Sequence, residues 1–373
     1  MASNLYTKAV DLLQSLIATP SFSKEENQTA ALLLTFLQKE GVVAHRYLNN
    51  IWALNAAFDP AKPTLLLNSH HDTVKPNPQY SLDPFEPVVI DGKLFGLGSN
   101  DAGGPLVSLI ATFLLFDKAR DLPWNIVLAA TAEEEISGVN GIEALLQSPE
   151  FIAATQLPGE KPFARWSAIV GEPTKMQLAI AEKGLLVLDG IAHGKAGHAA
   201  REEGVNAIYM ALDDLQWFRT HHFSKVSPTL GPVKMSVTVI QTENKAHNMV
   251  PATCQFTVDI RVTDVYTHEE ILAEVQDRVR SEIRPRSMRM RATGIAESHP
   301  LVAAGIALGR QPYGSPTCSD KALMPFPALK CGPGDSARSH TADEYIYLRE
   351  IEEGIEGYIK LIETTFKIVN GER

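Results

Sequence analysis

The run Asn125 to Gly138, NIVLAATAEEEISG, limits the fold more than any other stretch of the chain. It opens as Ile, Val, Leu and Ala with no polar alternation, the pattern of a strand buried on both faces. It then meets three consecutive carboxylates, Glu133, Glu134 and Glu135. Adjacent acids at the carboxyl end of a buried strand repel one another and are costly to desolvate, unless cations share the site. The carboxyl ends of parallel strands are also where open α/β sheets carry their sites. For an isolated acidic triplet a solvated turn is the ordinary explanation, until other residues join it.

At 373 residues the chain is long for one core, which predicts two domains. A net charge of −10 argues against nucleic acid and anionic membranes as partners. The longest nearly unbroken apolar run, Leu106 to Phe116, is too short to span a bilayer. Lys8 and Asp11 interrupt the first apolar stretch and no small-residue cleavage site follows it, so no signal peptide is expected. Cys254, Cys318 and Cys331 are too few and too scattered for a disulfide framework or a zinc ribbon. A cytoplasmic protein is the expectation.

Taken in order, residues 4 to 18 and 25 to 39 have helical spacing, stopped by Thr19-Pro20 and Gly41. Val42 to Tyr47 and Ile51 to Ala56 form a strand pair around Asn49-Asn50. TLLLNSHHDTV, Thr64 to Val74, is a second buried strand that emerges at Ser69. Period-two alternation points His70 and Asp72 the same way and His71 away from them. A histidine with a carboxylate two residues on suits a metal ligand and its orienting partner, or simply a polar strand exit. Asp101, in GLGSNDAGG, precedes a helix starting near Gly103, where a capping aspartate is the ordinary explanation. Glu172 follows the short buried strand Ala168-Ile169-Val170, and Pro173 blocks continuation. Four strand or turn ends thus present His70, Asp101, Glu134 with Glu135, and Glu172.

From about Ile180 to Ile295 the texture changes. KGLLVLDGIA reads as a strand and Val205 to Phe218 as a helix. VKMSVTVIQ and CQFTVDIRV alternate strictly, which means one covered and one open face. Residues 268 to 283 read as a helix, with Ile271, Val275, Val279 and Ile283 at four-residue steps, and MRMRATGI as a closing strand. The order strand, helix, strand, strand, helix, strand predicts a ferredoxin-like α+β unit, residues 179–295, inserted into an α/β domain of residues 1–178 and 296–373. The chain then returns through a helix at 299–308, a last buried strand at Ala328 to Lys330, and the turn Gly332-Pro333-Gly334. It passes His340, which Asp343 and Glu344 would suit as a solvated residue, and closes with a helix from Leu348 to Ile368.

His70-x-Asp72, Asp101, Glu134-Glu135, GEPT with Glu172, and His340 after a GPG turn together resemble the co-catalytic zinc family of acetylornithine deacetylase, succinyl-diaminopimelate desuccinylase, aminoacylase and carboxypeptidase G2. The resemblance spans nearly the whole chain, the insert included. It implies a zinc-peptidase-like catalytic domain, a mostly parallel sheet flanked by helices, with an inserted dimerisation or lid domain. It implies two zinc ions per subunit, replaceable by cobalt or manganese, roughly 3.5–4 Å apart. Carried over residue by residue, Asp101 bridges the ions, His70 and Glu172 complete one site, and Glu135 and His340 the other. Asp72 orients His70, and Glu134 is left as the general base.

Two departures touch no implied ligand: Glu133 stands where the family usually has Asp, and AGGP after Asp101 lacks a lysine common in relatives. The peptide after Asp101 is cis in relatives. His198, in GKAGHAA, matches a histidine that relatives supply across a dimer interface; without the resemblance it is a surface-loop residue. Asn248, Arg261, Gly334 and Arg338 match positions near substrate. The implied activity is hydrolysis of the amide of a small N-acyl amino acid in a homodimer. The GPGDSARSHTADEY segment most resembles the acetylornithine deacetylase branch, hence N-acetyl or N-succinyl ornithine or citrulline and arginine biosynthesis. A dipeptidase or a succinyl-diaminopimelate desuccinylase is the enzymatic alternative, and a non-catalytic binding protein the alternative of another class.

Overall fold

A computed structural model describes residues 2–157 and 159–372. The chain divides into two compact units. One holds the chain up to Ile180, then Ile295–Tyr313 and the chain from Ser319 onward; the other holds Ala181–Gly294 and the short stretch Gly314–Cys318.

In the first unit four parallel strands lie side by side in the order Asn125–Thr131, Thr64–His70, Trp166–Val170 and Ala328–Lys330. An antiparallel pair, Ala44–Tyr47 and Asn50–Leu54, extends one edge. Every residue of Thr64–His70 and Asn125–Thr131 is buried, as their unbroken apolar texture requires. Alternation explains how both faces are used. Leu65, Leu67, Ile126 and Leu128 meet Leu13, Leu33, Leu109 and Leu361 on one side. Leu66, Val127, Ala168 and Val170 meet Trp52, Phe151, Trp166 and Phe326 on the other. Each such fully buried aliphatic side chain contributes about 1.5–3 kcal/mol.

Register sets the site. His70 lies opposite Thr131, and Asn68 opposite Val170. His70, the Glu133 to Glu135 run and Glu172 therefore leave the sheet at one edge. Helix Gly104–Phe116 is apolar nearly all round and buried, while the closing helix Leu348–Val369 buries one stripe through Ile351, Ile355, Tyr358, Ile362 and Phe366. A three-stranded sheet of Val88–Ile90, Lys93–Phe95 and Tyr345–Tyr347, too short to announce itself in sequence, holds the segment before that helix. Among the described residues no helix is long and apolar enough to cross a membrane.

The second unit is a four-stranded antiparallel sheet, ordered Lys234–Thr242, Thr253–Val262, Gly184–His193 and Glu282–Pro285, with helices Ala207–Thr220 and His268–Arg278. Ala211, Ile271 and Val275 bury against Leu186, Phe256, Val258 and Ile260. This is the ferredoxin-like order, with two corrections. The helix expected to reach residue 283 ends at Arg278, and Val279 is already extended. The Asp214 carboxylate accepts the Arg280 and Ser281 backbone N–H groups at 3.0 and 2.9 Å, which draws the chain out of the helix. Ile283 then continues the apolar pattern from a strand. That strand takes the fourth place expected for MRMRATGI, of which only Thr293–Gly294 pairs, with Glu182 and Ala181.

Candidate metal centre

The sheet-end residues of the first unit converge. His70 Nε2 lies 3.3 Å from Asp101 Oδ1 and 3.8 Å from Glu172 Oε1. His340 Nε2 lies 3.7 Å from Asp101 Oδ2 and 3.0 Å from Glu135 Oε2. Asp101 thus turns one carboxylate oxygen toward each histidine. Two triples result, His70–Asp101–Glu172 and Asp101–Glu135–His340, with the ligand atoms of each within 4.8 Å of one another. Glu134 belongs to neither, and its Oε2 stands 4.0 Å from His70 Nε2.

Asp101 is no helix cap. It sits in the tight turn Ser99–Gly103 with extended backbone, followed by a cis peptide to Ala102, and the helix proper begins at Gly104. The turn is gripped by a residue that the sequence reading left beside a solvated His340. Glu344 is only 2% exposed, and its carboxylate accepts the backbone N–H groups of Gly98, Asn100 and Asp101 at 3.2, 2.8 and 2.9 Å. Its neighbour Asp343 accepts the N–H groups of Ser81 and Leu82 at 2.8 and 3.0 Å, tying the loop after His70 to the segment that carries His340.

Asp72 does more than orient His70. It accepts from His70 Nδ1 through its backbone carbonyl at 3.0 Å, with the nearer carboxylate oxygen at 3.5 Å. The carboxylate itself accepts the N–H groups of Glu134 and Glu135, at 3.0 and 3.2 Å, and the Ser23 hydroxyl at 2.7 Å. The preceding N–H, of Glu133, points at the fully buried Glu26 carboxylate at 3.3 Å. Three successive amides of the acidic run are thus held by two buried carboxylates, which fixes where the Glu134 and Glu135 side chains start. Glu133 has positive φ, and its own carboxylate closes the following loop onto Asn140. Sequence reasoning missed Ser23 and Glu26 because Ser23-x-x-Glu26 before an apolar helix looks like a capping pattern. His71 points away as expected, between Thr29 and Asn49, and burial lowers its pKa to about 4.

The charge balance favours cations. Burial raises the pKa of Glu172 to about 8, with Lys330 opposing and Asp101 reinforcing. Burial also raises Glu134 well above its ordinary value, helped by Glu172 and Glu135. The hydrogen bond to Glu135 raises His340 to about 9. A set of two imidazoles and three carboxylates, one of them shared, fits two ions of the zinc type, with cobalt or manganese as substitutes. Protons and metal compete for these atoms. Without metal, Glu172 and His340 hold protons at neutral pH, and ligands must be deprotonated to bind. Metal uptake near pH 7 is therefore expected to release protons, with apparent affinity falling as pH drops below about 8–9. Calorimetry of zinc binding in buffers of different ionisation heat measures this; uptake without proton release would contradict the charge states described.

The residues expected near substrate divide. Gly334, with φ +88, lies against Asn100 beside the Asp101 turn, and a Cβ there would sit 2.5 Å from Asn100 Oδ1. Arg338 gives both its Nη groups to Glu350, at 2.8 and 2.6 Å, and stacks on Tyr345. Arg261, in the second unit, is likewise forked onto Asp259 at 2.8 and 3.0 Å. Both guanidiniums are thus engaged by carboxylates of the chain itself. In the second unit His198 lies on the two-residue strand Gly197–His198, exposed, and paired with Met249–Val250. Asn248 accepts the Ala199 N–H through its carbonyl at 2.9 Å, beside it.

Comparison with known families matches the description "Peptidase family M20/M25/M40" over residues 66–364. Succinyl-diaminopimelate desuccinylase 2 of Ruegeria sp. is 27% identical over 284 residues, covering 73% of this chain and 69% of that protein. Among solved structures, an M20 family metallo-carboxypeptidase of Sulfolobus solfataricus superposes with a TM-score of 0.75 at 15% identity, over 96% of this chain and 99% of its own. A dinuclear metal binding peptidase of the M20 family from Bacillus subtilis gives 0.67 at 13%, over 96% and 98%. At such identities the structural matches speak to fold alone.

Proposed function

The chain belongs to peptidase family M20/M25/M40, and from that premise we propose that it is a metal-dependent amidohydrolase removing the N-acyl group of an amino acid, with release of a carboxylate and a free amine. The observation that carries this reading is the division of labour among the acids. Asp101 serves both triples, while the half-buried Glu134 serves neither.

Two zinc ions, held by His70, Glu172, Glu135, His340 and the shared Asp101, would supply Lewis acidity at the scissile carbonyl. The chain's own work is proton transfer and positioning. Glu134 takes a proton from the attacking water and later delivers it to the leaving amine. Asp72 and Glu26, by holding the three amides, fix the backbone from which Glu134 reaches toward His70.

For the substrate, the GPGDSARSHTADEY segment supports an acetylornithine deacetylase-like specificity, for N-acetyl or N-succinyl ornithine or citrulline. A second reading, N-succinyl-diaminopimelate, is favoured by the name of the Ruegeria relative. The decisive experiment is a rate screen of the zinc-loaded protein against N-acetyl and N-succinyl ornithine, citrulline and diaminopimelate, with dipeptides as the contrasting class. Hydrolysis of dipeptides alone would overturn the deacylase reading, and no hydrolysis of any would favour a binding role.

We also propose a homodimer in which His198 serves the partner's site. The edge strand Lys234–Thr242 supports it, since it exposes Val237, Val239 and Ile240 and offers unpaired backbone groups. An imidazole donor to the developing oxyanion is typically worth on the order of 10²–10³-fold in rate. Mixing His198→Ala with Glu134→Ala subunits should restore activity, because in a heterodimer one site receives both groups. Exchanged but inactive mixtures would place His198 in its own subunit's site or outside catalysis.

A further inference from the structure

In the first unit, apart from the metal centre, lies a cavity of about 410 Å³ lined by Lys175, Met176, Arg310, Gly334, Glu350 and Glu353 among others. Two of its four charges are already matched. Lys175 pairs with Asp335 at 2.8 Å. Glu350 holds Arg338 and the Tyr347 N–H. Two are not. Arg310 donates from Nη1 to the Met176 carbonyl at 2.6 Å, its Nε is buried with no partner, and no carboxylate among the described residues pairs with it. Glu353, on the closing helix, has no ion-pair or hydrogen-bond partner among the described residues.

The fold sets the spacing of these two groups. The Arg310 guanidinium rests on the closing helix at Gly357, where a Cβ would come within 2.6 Å of Nη2. A side chain at 357 would have to displace the ends of Arg310 and Met176. Glu353 lies four residues earlier on the same helix, so its Cβ and the guanidinium seat are neighbours about 5–6 Å apart along one face. The Nε is shielded, but the guanidinium as a whole lines the cavity with a permanent charge that no described carboxylate neutralises, and an anion in the cavity would supply that partner. One unpaired cation and one unpaired carboxylate, a helical turn apart on one wall, match the two charges of a zwitterion.

We propose that this cavity binds a free α-amino acid, its carboxylate on Arg310 and its ammonium on Glu353. The site stands independently of the reaction proposed above and shares none of its proton-transfer groups.

L-Alanine, acetate and L-alaninamide, titrated by calorimetry into the metal-loaded protein, separate the two charges. Alanine is expected to bind, while acetate and alaninamide, each lacking one charge, bind at least about tenfold more weakly. Arg310→Gln and Glu353→Gln should each weaken alanine by about tenfold or more while leaving the hydrolytic rate unchanged. Glu353 is exposed, so its variant tests the site even if Arg310→Gln misfolds. Alanine binding that survives both substitutions would place it elsewhere, at the metal centre for instance, and overturn the proposal. Acetate binding as tightly as alanine, insensitive to Glu353→Gln, would leave an anion site only and overturn the zwitterion assignment.

Discussion

Glu134→Gln is expected to keep both metal ions and to lose about 10²–10⁴ of the rate, the usual worth of a general base. The substitution is nearly isosteric and leaves the backbone N–H of residue 134 on the Asp72 carboxylate, so the acidic run should keep its path. Neither metal triple includes Glu134, and its 4.0 Å separation from His70 Nε2 exceeds that of Asp101 and of Glu172. What disappears is the ability to accept a proton. The loss should therefore fall on kcat, with KM little changed, the signature of an interaction made only in the transition state. Metal content by mass spectrometry and steady-state rates on the best N-acyl substrate test both halves. A glutamine variant stripped of metal would make Glu134 a ligand and exchange its role with Glu135. Glu135→Gln supplies the contrast, since that side chain lies 3.0 Å from His340 Nε2 within a triple and should affect metal occupancy first.

The two adjacent glutamates show what a sequence discloses and what it leaves out. Thr64–His70 and Asn125–Thr131 were legible because a strand covered on both faces admits no polar alternation, and their register then forces His70 and the acidic run to one edge. The candidate ligands were legible because each follows a strand or precedes a turn. Their supports were not. Glu26 reaches Glu133 across 107 residues, and Glu344 reaches Asp101 across 243. Both act on backbone N–H groups, which are the same at every position and so leave no residue-type signature in their partners. Glu26 also sits where a helix cap would. Arg338 is legible only in part: its charge is visible, but its pairing with Glu350 depends on a tertiary contact twelve residues away. The helix expected over 268–283 ended early for a third reason. Val279 and Ile283 kept the apolar spacing after the backbone had changed conformation, because a strand edge buried them instead.

The shared carboxylate yields the sharpest prediction about metal stoichiometry. If Asp101 serves both triples with one oxygen each, Asp101→Ala should empty both positions, whereas His340→Ala and Glu172→Ala should each empty one. Removing Asp101 leaves one imidazole and one carboxylate on each side, too few for the three protein ligands that a catalytic zinc site ordinarily has. Activity should fall to background in Asp101→Ala. Metal content per chain, from two toward zero and from two toward one, distinguishes the cases. Stability gives an independent readout. Metal at a hundredfold excess over its dissociation constant stabilises a site by about 2.7 kcal/mol, so the rise in Tm on adding zinc should vanish in Asp101→Ala and persist in part in the other two. Asp101 also donates its N–H to Glu344, and this bond survives truncation of the side chain, so the turn itself should hold. An Asp101→Ala protein that still carries one tightly held ion, with a residual zinc-dependent rise in Tm, would mean that one triple is complete without the shared oxygen. The two-ion reading of this site would then fail.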